Sequence, residues 1–490
     1  MTATRVVVIG GGIVGLTAAY RLRERAARGA EVVLLEAADR AGGHVGTVHE
    51  DGFVVEAGPN GFLSRASEPE PLALIADLGL APSLIEARPA ARRRFVAHGG
   101  RLRRVPDSPP AFLTSDALTP GGKLRLLMEP FARRAPPGAE ESVYEFACRR
   151  VGREATEVLV DTAVSGISAG DSRELSVAAA FPLMTEMERD HGSLIRALFA
   201  RRQPPARLVS LAGGMGTLSE ALAERLGGGV RTGARVRRLE RSADVWQVRL
   251  EDGAALAADR VVLAAPASRA ATMVADLDPE LARGLAAFPY AGLAVVALAF
   301  RADALPGRLD GYGYLVARSE GFDTLGVVWD SSLFEGRAPA GMVLLRAMLG
   351  GARRPEVAAL AEEELLRRAC AELGRVLGTE AAPVRSWVWR WPQAIAQYTR
   401  GHLERVAEVR ARAARIPGFE LCGTSYDGIA LGAGVISAER AVARLLAPDA
   451  AAGRAAAGAE RVPDARAVIA AGGAAALPAD QARAARAGVA

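Results

Sequence analysis

The sequence predicts an α/β fold, and three features predict it. A short apolar strand, a glycine-rich turn, a helix and a second strand follow one another within the first forty residues, the order of a parallel βαβ unit. A long and mostly helical stretch then runs from about residue 72 to 200. Beyond it come short strands and turns, a long amphipathic helix over 355–377, and a closing strand, glycine-rich turn and helix. A chain of 490 residues is long for one core and is expected to divide into two or three packed domains.

Taken in order, Arg5–Ile9 reads as a buried strand, 12–28 as a helix and 31–36 as the next strand. The helical stretch includes 71–80, 122–132, 142–163 and 193–202, and 218–226 follows as a further helix. Residues 230–265 carry short strands, 293–300 and 341–348 are strands, 419–422 is the last strand, and 435–446 the last helix. The tail after Pro448 is rich in alanine, glycine and arginine and is expected to be disordered.

Composition narrows the function. The net charge of +5, from 61 basic and 56 acidic residues, is too mild for a nucleic-acid binder but suits an anionic substrate or membrane surface. The basic residues are nearly all arginine, and Lys123 is the one lysine, so a mechanism needing an active-site lysine has one candidate. Cys148, Cys370 and Cys422 lie far apart, which argues against a disulfide framework, a zinc knuckle and a dithiol redox centre. A reduced, cytoplasmic compartment fits, with peripheral attachment to the cytoplasmic face of a membrane left open. The apolar start over 6–20 is interrupted by four glycines and lacks a signal-peptide cleavage pattern. The longest later apolar run, 293–300, is far short of the roughly 18–20 residues that span a bilayer.

Gly10-Gly11-Gly12-Ile13-Val14-Gly15 places GxGxxG between strand and helix. The first glycine permits the tight turn, the second lets backbone approach a pyrophosphate, and the third lets helix and strand pack closely, as in a Rossmann-like domain. The helix N-terminus then favours the phosphates. Glu36 ends the next strand, where a carboxylate can accept hydrogen bonds from a ribose diol and disfavour a 2′-phosphate. No second strand–GxGxxG–helix unit is evident: Gly213-Gly214-Met215-Gly216 precedes a helix but follows no convincing strand. A reductase with two dinucleotide sites is therefore disfavoured.

The run Glu36-Ala37-Ala38-Asp39-Arg40-Ala41-Gly42-Gly43-His44 resembles the ExxxRxGGR segment of the flavin-containing amine oxidases and their relatives, with His44 in place of the usual arginine. Glu56-Ala57-Gly58-Pro59-Asn60-Gly61 resembles the segment that lines the flavin ring in that superfamily. Further motifs are similar to those of the protoporphyrinogen oxidase family: Val164–Asp171 (VSGISAGD), Leu211–Leu218 (LAGGMGTL), Trp391–Tyr398 with Gly401-His402, and Leu421–Leu431 around Ser425-Tyr426-Asp427-Gly428. The similarity covers residues 4–446.

What the resemblance implies is specific. Non-covalently bound FAD would be held by Gly10 to Gly15, Glu36, Ala37, Arg40, Gly42, Gly43, Gly58 to Gly61, Val236, Trp391, Ile429, Ala430 and Leu431. The fold would be a Rossmann-like FAD-binding domain (1–80, 205–275 and 396–446), a helical membrane-facing domain (81–204) and a mixed α+β substrate domain (276–395), followed by the tail 447–490. The reaction would be the six-electron oxidation of protoporphyrinogen IX in three hydride transfers to the flavin, with molecular oxygen as acceptor and peroxide as product. Arg94 would bind a propionate, and Gly166, Leu315, Val328 and Met348 would wall the macrocycle. No protein base is required, and His44, His49, His98, His191 and His402 are scattered without forming a catalytic dyad. Coproporphyrinogen III oxidation is the nearest rival and amine oxidation a more distant one. A homodimer is also open.

Overall fold

Val6, Val7, Val8 and Ile9 are all almost wholly buried, as a strand covered on both faces must be. In the computed structural model, which describes residues 4–447 apart from 27–28, 137, 201–205, 243 and 308, Arg5–Ile9 is the middle strand of a five-stranded parallel sheet. Its order is Val230–Arg231, Glu31–Leu35, Arg5–Ile9, Arg260–Leu263 and Phe419–Leu421. Residues of helices Ile13–Arg25, Gly216–Leu226 and Leu431–Leu446 share one buried cluster with strand residues Val6 and Val8. On the other face lies a three-stranded antiparallel sheet, Val236–Ser242, Val245–Leu250 and Ala255–Ala258. The expected α/β class is the one observed.

A second, seven-stranded sheet runs in the order Arg385–Ala396, Tyr290–Arg301, Met342–Gly350, Thr324–Val328, Gly313–Val316, Arg94–His98 and Arg101–Arg104. Its pairs are antiparallel except Gly313–Val316 with Arg94–His98. One face packs on helix Glu362–Leu377 through Val296, Leu298, Tyr314, Leu345 and Leu365. The opposite face turns toward the first sheet's domain.

Several elements depart from expectation. The stretch expected to be helical from residue 72 contains the hairpin Arg94–His98 and Arg101–Arg104, because Gly99 and Gly100 both take positive φ and close a two-residue turn. The signal was present as Gly-Gly, but the surrounding arginines obscured it. The helix expected over 142–163 breaks at Gly152 (φ 89°) into Val143–Val151, a short turn, a single π turn at Thr156–Val160, and Asp161–Ser168. The helix expected over 355–377 begins at Glu362, after a 3-10 turn over Pro355–Ala359. The last helix starts at Leu431, four residues early, since Gly432 and Gly434 sit inside it. A Cβ on Gly434 would lie 3.0 Å from Val14 Cγ2, so the glycine lets this helix press on Ile13–Arg25. The tail expected to be disordered, together with residues 201–202, lies outside the described residues.

Candidate active site

The glycine turn does three separate jobs. Gly10 has φ 106°, which bends the chain out of the strand. A Cβ on Gly15 would stand 1.8 Å from the Gly10 carbonyl oxygen, so only glycine allows the helix to meet the turn. A Cβ on Gly12 would meet nothing within 4 Å, which leaves the approach to the helix N-terminus open. Helix Ile13–Arg25 has no side-chain cap and no acid in its first turn, so Gly12, Ile13 and Val14 present an unneutralised terminus fitted to a pyrophosphate. Gly11 carries a requirement the motif does not state: its Cβ would lie 2.7 Å from Glu36 Cβ. The Glu36 carboxylate accepts from Gly11 N–H at 2.5 Å and Ala38 N–H at 2.8 Å, which aims it at the turn's edge beside Ala37. Val236 is buried one strand further on, two residues after Ala234, whose N–H donates to the Glu36 carbonyl.

The second glycine segment docks on the first. Gly42 N–H donates to the Gly11 carbonyl at 2.7 Å, and a Cβ on Gly43 would be 3.1 Å from Gly12 Cα. Arg40 braces this segment by donating to the Gly43 carbonyl at 3.0 Å. A Cβ on Gly58 would be 2.1 Å from the His44 carbonyl oxygen, so 58–61 must pass directly over it. Trp391 Nε1 donates to the Ala57 carbonyl at 2.8 Å, and its ring meets His44 edge-on at 4.8 Å. Burial and the nearby Arg40 charge push the His44 imidazole below its ordinary pKa, favouring the neutral ring. Ile429 and Ala430 lead into the N-terminus of helix Leu431–Leu446. Their turn is held by the Tyr398 hydroxyl, which donates to the Thr424 carbonyl and accepts from Gly428 N–H, each at 2.7 Å.

Strand register gathers the residues that the resemblance assigns to the substrate and that the sequence scatters. Arg94 pairs with Gly313, Gly313 with Val328, and Val328 with Arg346. Two residues along, Val96, Leu315, Gly326 and Met348 form the next row, which continues through Val295 to Trp389. Directly paired residues and those two apart share a face, so Arg94, Leu315, Val328 and Met348 all lie on the side turned from helix Glu362–Leu377. Leu315 reaches helix Asp161–Ser168, where a Cβ on Gly166 would be 2.2 Å from its Cδ2. Arg94 stands 5.4 Å over the Tyr312 ring, and burial lowers its pKa. The neighbouring Arg93 is paired with Asp310, and Arg92 is exposed.

The geometry also corrects one reading and supplies residues that sequence reasoning missed. Gly213–Gly216 does follow a strand, Arg207–Leu211. It is nevertheless no second dinucleotide site, because Gly216 N–H donates to Thr47 Oγ1 and Met215 N–H to Glu56 Oε1, both at 2.8 Å. A Cβ on Gly214 would lie 2.4 Å from the Thr47 side chain, so protein fills the space a phosphate would need. Glu56, Asp330, Arg337 and Arg346 form a buried charged group behind 56–61. Glu56 lies far from the other three in sequence, and Asp330, Arg337 and Arg346 come from separate elements, so no spacing pattern marks the group.

An uncapped helix terminus with glycine clearance, a carboxylate at the next strand end and a second glycine segment fit a dinucleotide. The protein is an FAD-dependent oxidoreductase. Residues 13–446 match the flavin containing amine oxidoreductase family, and the chain belongs to it. It is 34% identical to protoporphyrinogen oxidase of Homo sapiens, over 90% of this chain and 98% of that protein. It is 30% identical to coproporphyrinogen III oxidase of Bacillus subtilis, over 87% and 94%. A crystal structure from Exiguobacterium sp. 255-15, provisionally named a protoporphyrinogen oxidase, superposes with a TM-score of 0.80 at 26% identity, covering 91% of this chain and 99% of that one.

Proposed function

We propose that this enzyme oxidises protoporphyrinogen IX to protoporphyrin IX, with molecular oxygen as the final acceptor and hydrogen peroxide as the product. The observation that carries the reading is the single sheet face on which Arg94, Val328, Leu315 and Met348 fall into adjacent rows. An apolar disc with carboxylate arms needs such a surface: greasy positions at its centre and a cation at the rim. Bound FAD supplies the hydride acceptor. The chain's own part is placement: Arg94 grips a propionate, Leu315, Val328 and Met348 hold the ring plane, and their apolar surface excludes water. The substrate's pyrroles release their own protons, so no side chain has to act as a strong base.

Coproporphyrinogen III is the second reading, favoured by the Bacillus subtilis relative. Arg93 is committed to Asp310 and Arg346 to Asp330, which weighs against a substrate with four carboxylates. Aerobic turnover of the two porphyrinogens in parallel, followed by porphyrin fluorescence and peroxide, tests the choice. Faster coproporphyrinogen turnover would overturn the main reading, and no fluorescence from either would overturn both.

Peripheral attachment to the cytoplasmic face of an anionic membrane belongs to the same proposal. Phe131 and Phe199 are 78% and 75% exposed, and Leu124, Leu127, Met128 and Leu198 are exposed too. The buried Glu129 carboxylate joins their two segments by accepting from Leu194 N–H at 2.9 Å and Ile195 N–H at 3.1 Å. Exposed Arg133, Arg134 and Arg196 lie on the same segments and suit anionic headgroups. Among the described residues no helix is long and apolar enough to cross a membrane. Co-sedimentation with anionic vesicles, lost in Phe131→Ser/Phe199→Ser, is the expected result; equal sedimentation of both proteins would sink it.

A further inference from the structure

We infer that the buried Asp330–Arg346 pair is a positioning and charge-balancing device for the flavin. The inference rests on the reading that residues 56–61 run along the flavin ring. Arg346 comes from strand Met342–Gly350 of the large sheet, two residues before Met348 and on the same face. Its guanidinium leaves the sheet and donates to the Gly58 carbonyl, with the Glu56 carbonyl 3.4 Å away. Asp330 holds it from behind, accepting from Nε at 2.9 Å and from Nη2 at 3.3 Å. Asn60 closes the loop by donating to the same carboxylate at 3.1 Å.

Asp330 therefore grips both ends of the Gly58-Pro59-Asn60 turn, one directly and one through Arg346. Both charged side chains are almost wholly buried. Burying an ion pair is costly, and breaking one by removing a single partner leaves an uncompensated charge in a low-dielectric site. Pro59 contributes no N–H of its own, so the carbonyl on one side and the Asn60 amide group on the other are the handles by which the turn is oriented. Arg346 fixes the carbonyl and Asp330 the side-chain amide. The pair also presents a balanced charge to whatever lies along the turn. Asp330→Asn would leave a net positive charge there, which favours the more negative reduced flavin. Arg346→Gln would leave a net negative charge, which opposes it.

The test is the flavin midpoint potential of the holoenzyme, with FAD content and absorbance as companion readouts. Asp330→Asn should raise the potential, Arg346→Gln should lower it, and Asp330→Asn/Arg346→Gln should return it close to the parent value. Loosened packing alone would move both single variants in one direction, so shifts of the same sign, or none, overturn the inference. If the single variants do not retain FAD, the double variant decides: FAD held at the parent potential supports charge balance, and loss of FAD overturns it. Trp391→Phe separates the two levels, because Trp391 donates to the Ala57 carbonyl of the same segment. A changed flavin absorbance in Trp391→Phe with unmoved potentials in the pair's variants overturns the role of the pair alone. No change in any variant overturns the placement of 56–61 as well.

Discussion

Gly166 and Leu315 meet so closely that a Cβ on Gly166 would stand 2.2 Å from Leu315 Cδ2. The bare backbone of helix Asp161–Ser168 thus serves as the stop against which a leucine of the large sheet is set. Leu315 is flexible at its tip, so a methyl group on Gly166 would displace it rather than break the helix. Gly166→Ala should raise KM for the porphyrinogen several-fold with FAD content unchanged, in line with overpacking costs of about 1–3 kcal/mol. Gly166→Ala/Leu315→Ala should recover part of the loss, and steady-state kinetics of the two variants checks both statements.

Arg94→Ala should lower kcat/KM by roughly ten- to a hundredfold, chiefly through KM, since a hydrogen bond to a charged group contributes about 1.5–3 kcal/mol. FAD should stay bound, because Arg94 lies on the large sheet and not among the glycine segments. Unaltered kinetics would remove Arg94 from the site.

Gly15→Val should yield protein without flavin. With a Cβ 1.8 Å from the Gly10 carbonyl oxygen, helix and turn must separate, and the pyrophosphate loses its seat. The ratio of flavin to protein absorbance after purification decides it, and a fully yellow variant would contradict it.

His402 should make stability depend on pH. The residue is 1% exposed, its ring stacks on Tyr398 at 3.7 Å, and burial, aided by the Arg405 charge, pulls its pKa from 6.5 down to about 3. Between those values the unfolded chain binds a proton that the folded chain does not. This contribution is therefore whole above pH 6.5 and declines as pH falls toward 3, by at most about 1.4 kcal/mol per pH unit. His402→Phe keeps an aromatic ring of similar size and should flatten that part of the profile. Denaturant midpoints across the range measure it, and an unchanged slope would be the adverse result.

Ala169 holds φ 51°, in the left-handed region, at the C-terminal end of the helix that carries Gly166. The conformation is enforced from outside: Ala352 N–H donates to the Ala169 carbonyl at 2.7 Å, and Gln397 donates to the Ser168 carbonyl at 2.9 Å. Ala169→Gly should relieve the Cβ clash and stabilise the protein by about 1 kcal/mol, read as a higher Tm. A lower Tm would show that the methyl group's burial outweighs the backbone strain.

The dinucleotide half of the site was legible because its chemistry is local. Gly10, Gly12, Gly15 and Glu36 act through a turn, a helix terminus and an adjacent strand end, all within forty residues, so spacing alone carries the information. The segments around Gly42, Gly58, Trp391 and Ser425 were legible only through family resemblance, since each is an ordinary loop or strand until it meets its partner. The resemblance also named Arg94, Leu315, Val328 and Met348, but how the remaining residues come together was decided by tertiary structure. Arg94, Leu315, Val328 and Met348 become one surface through the register of four strands drawn from residues 94–350, and register depends on long-range pairing. The same holds for Asp330 and Arg346, whose burial in contact with Asn60 and Gly58 leaves no periodic trace. Even the hairpin at Gly99-Gly100 needed the edge of the large sheet, because a lone two-stranded ribbon is only marginally stable in water.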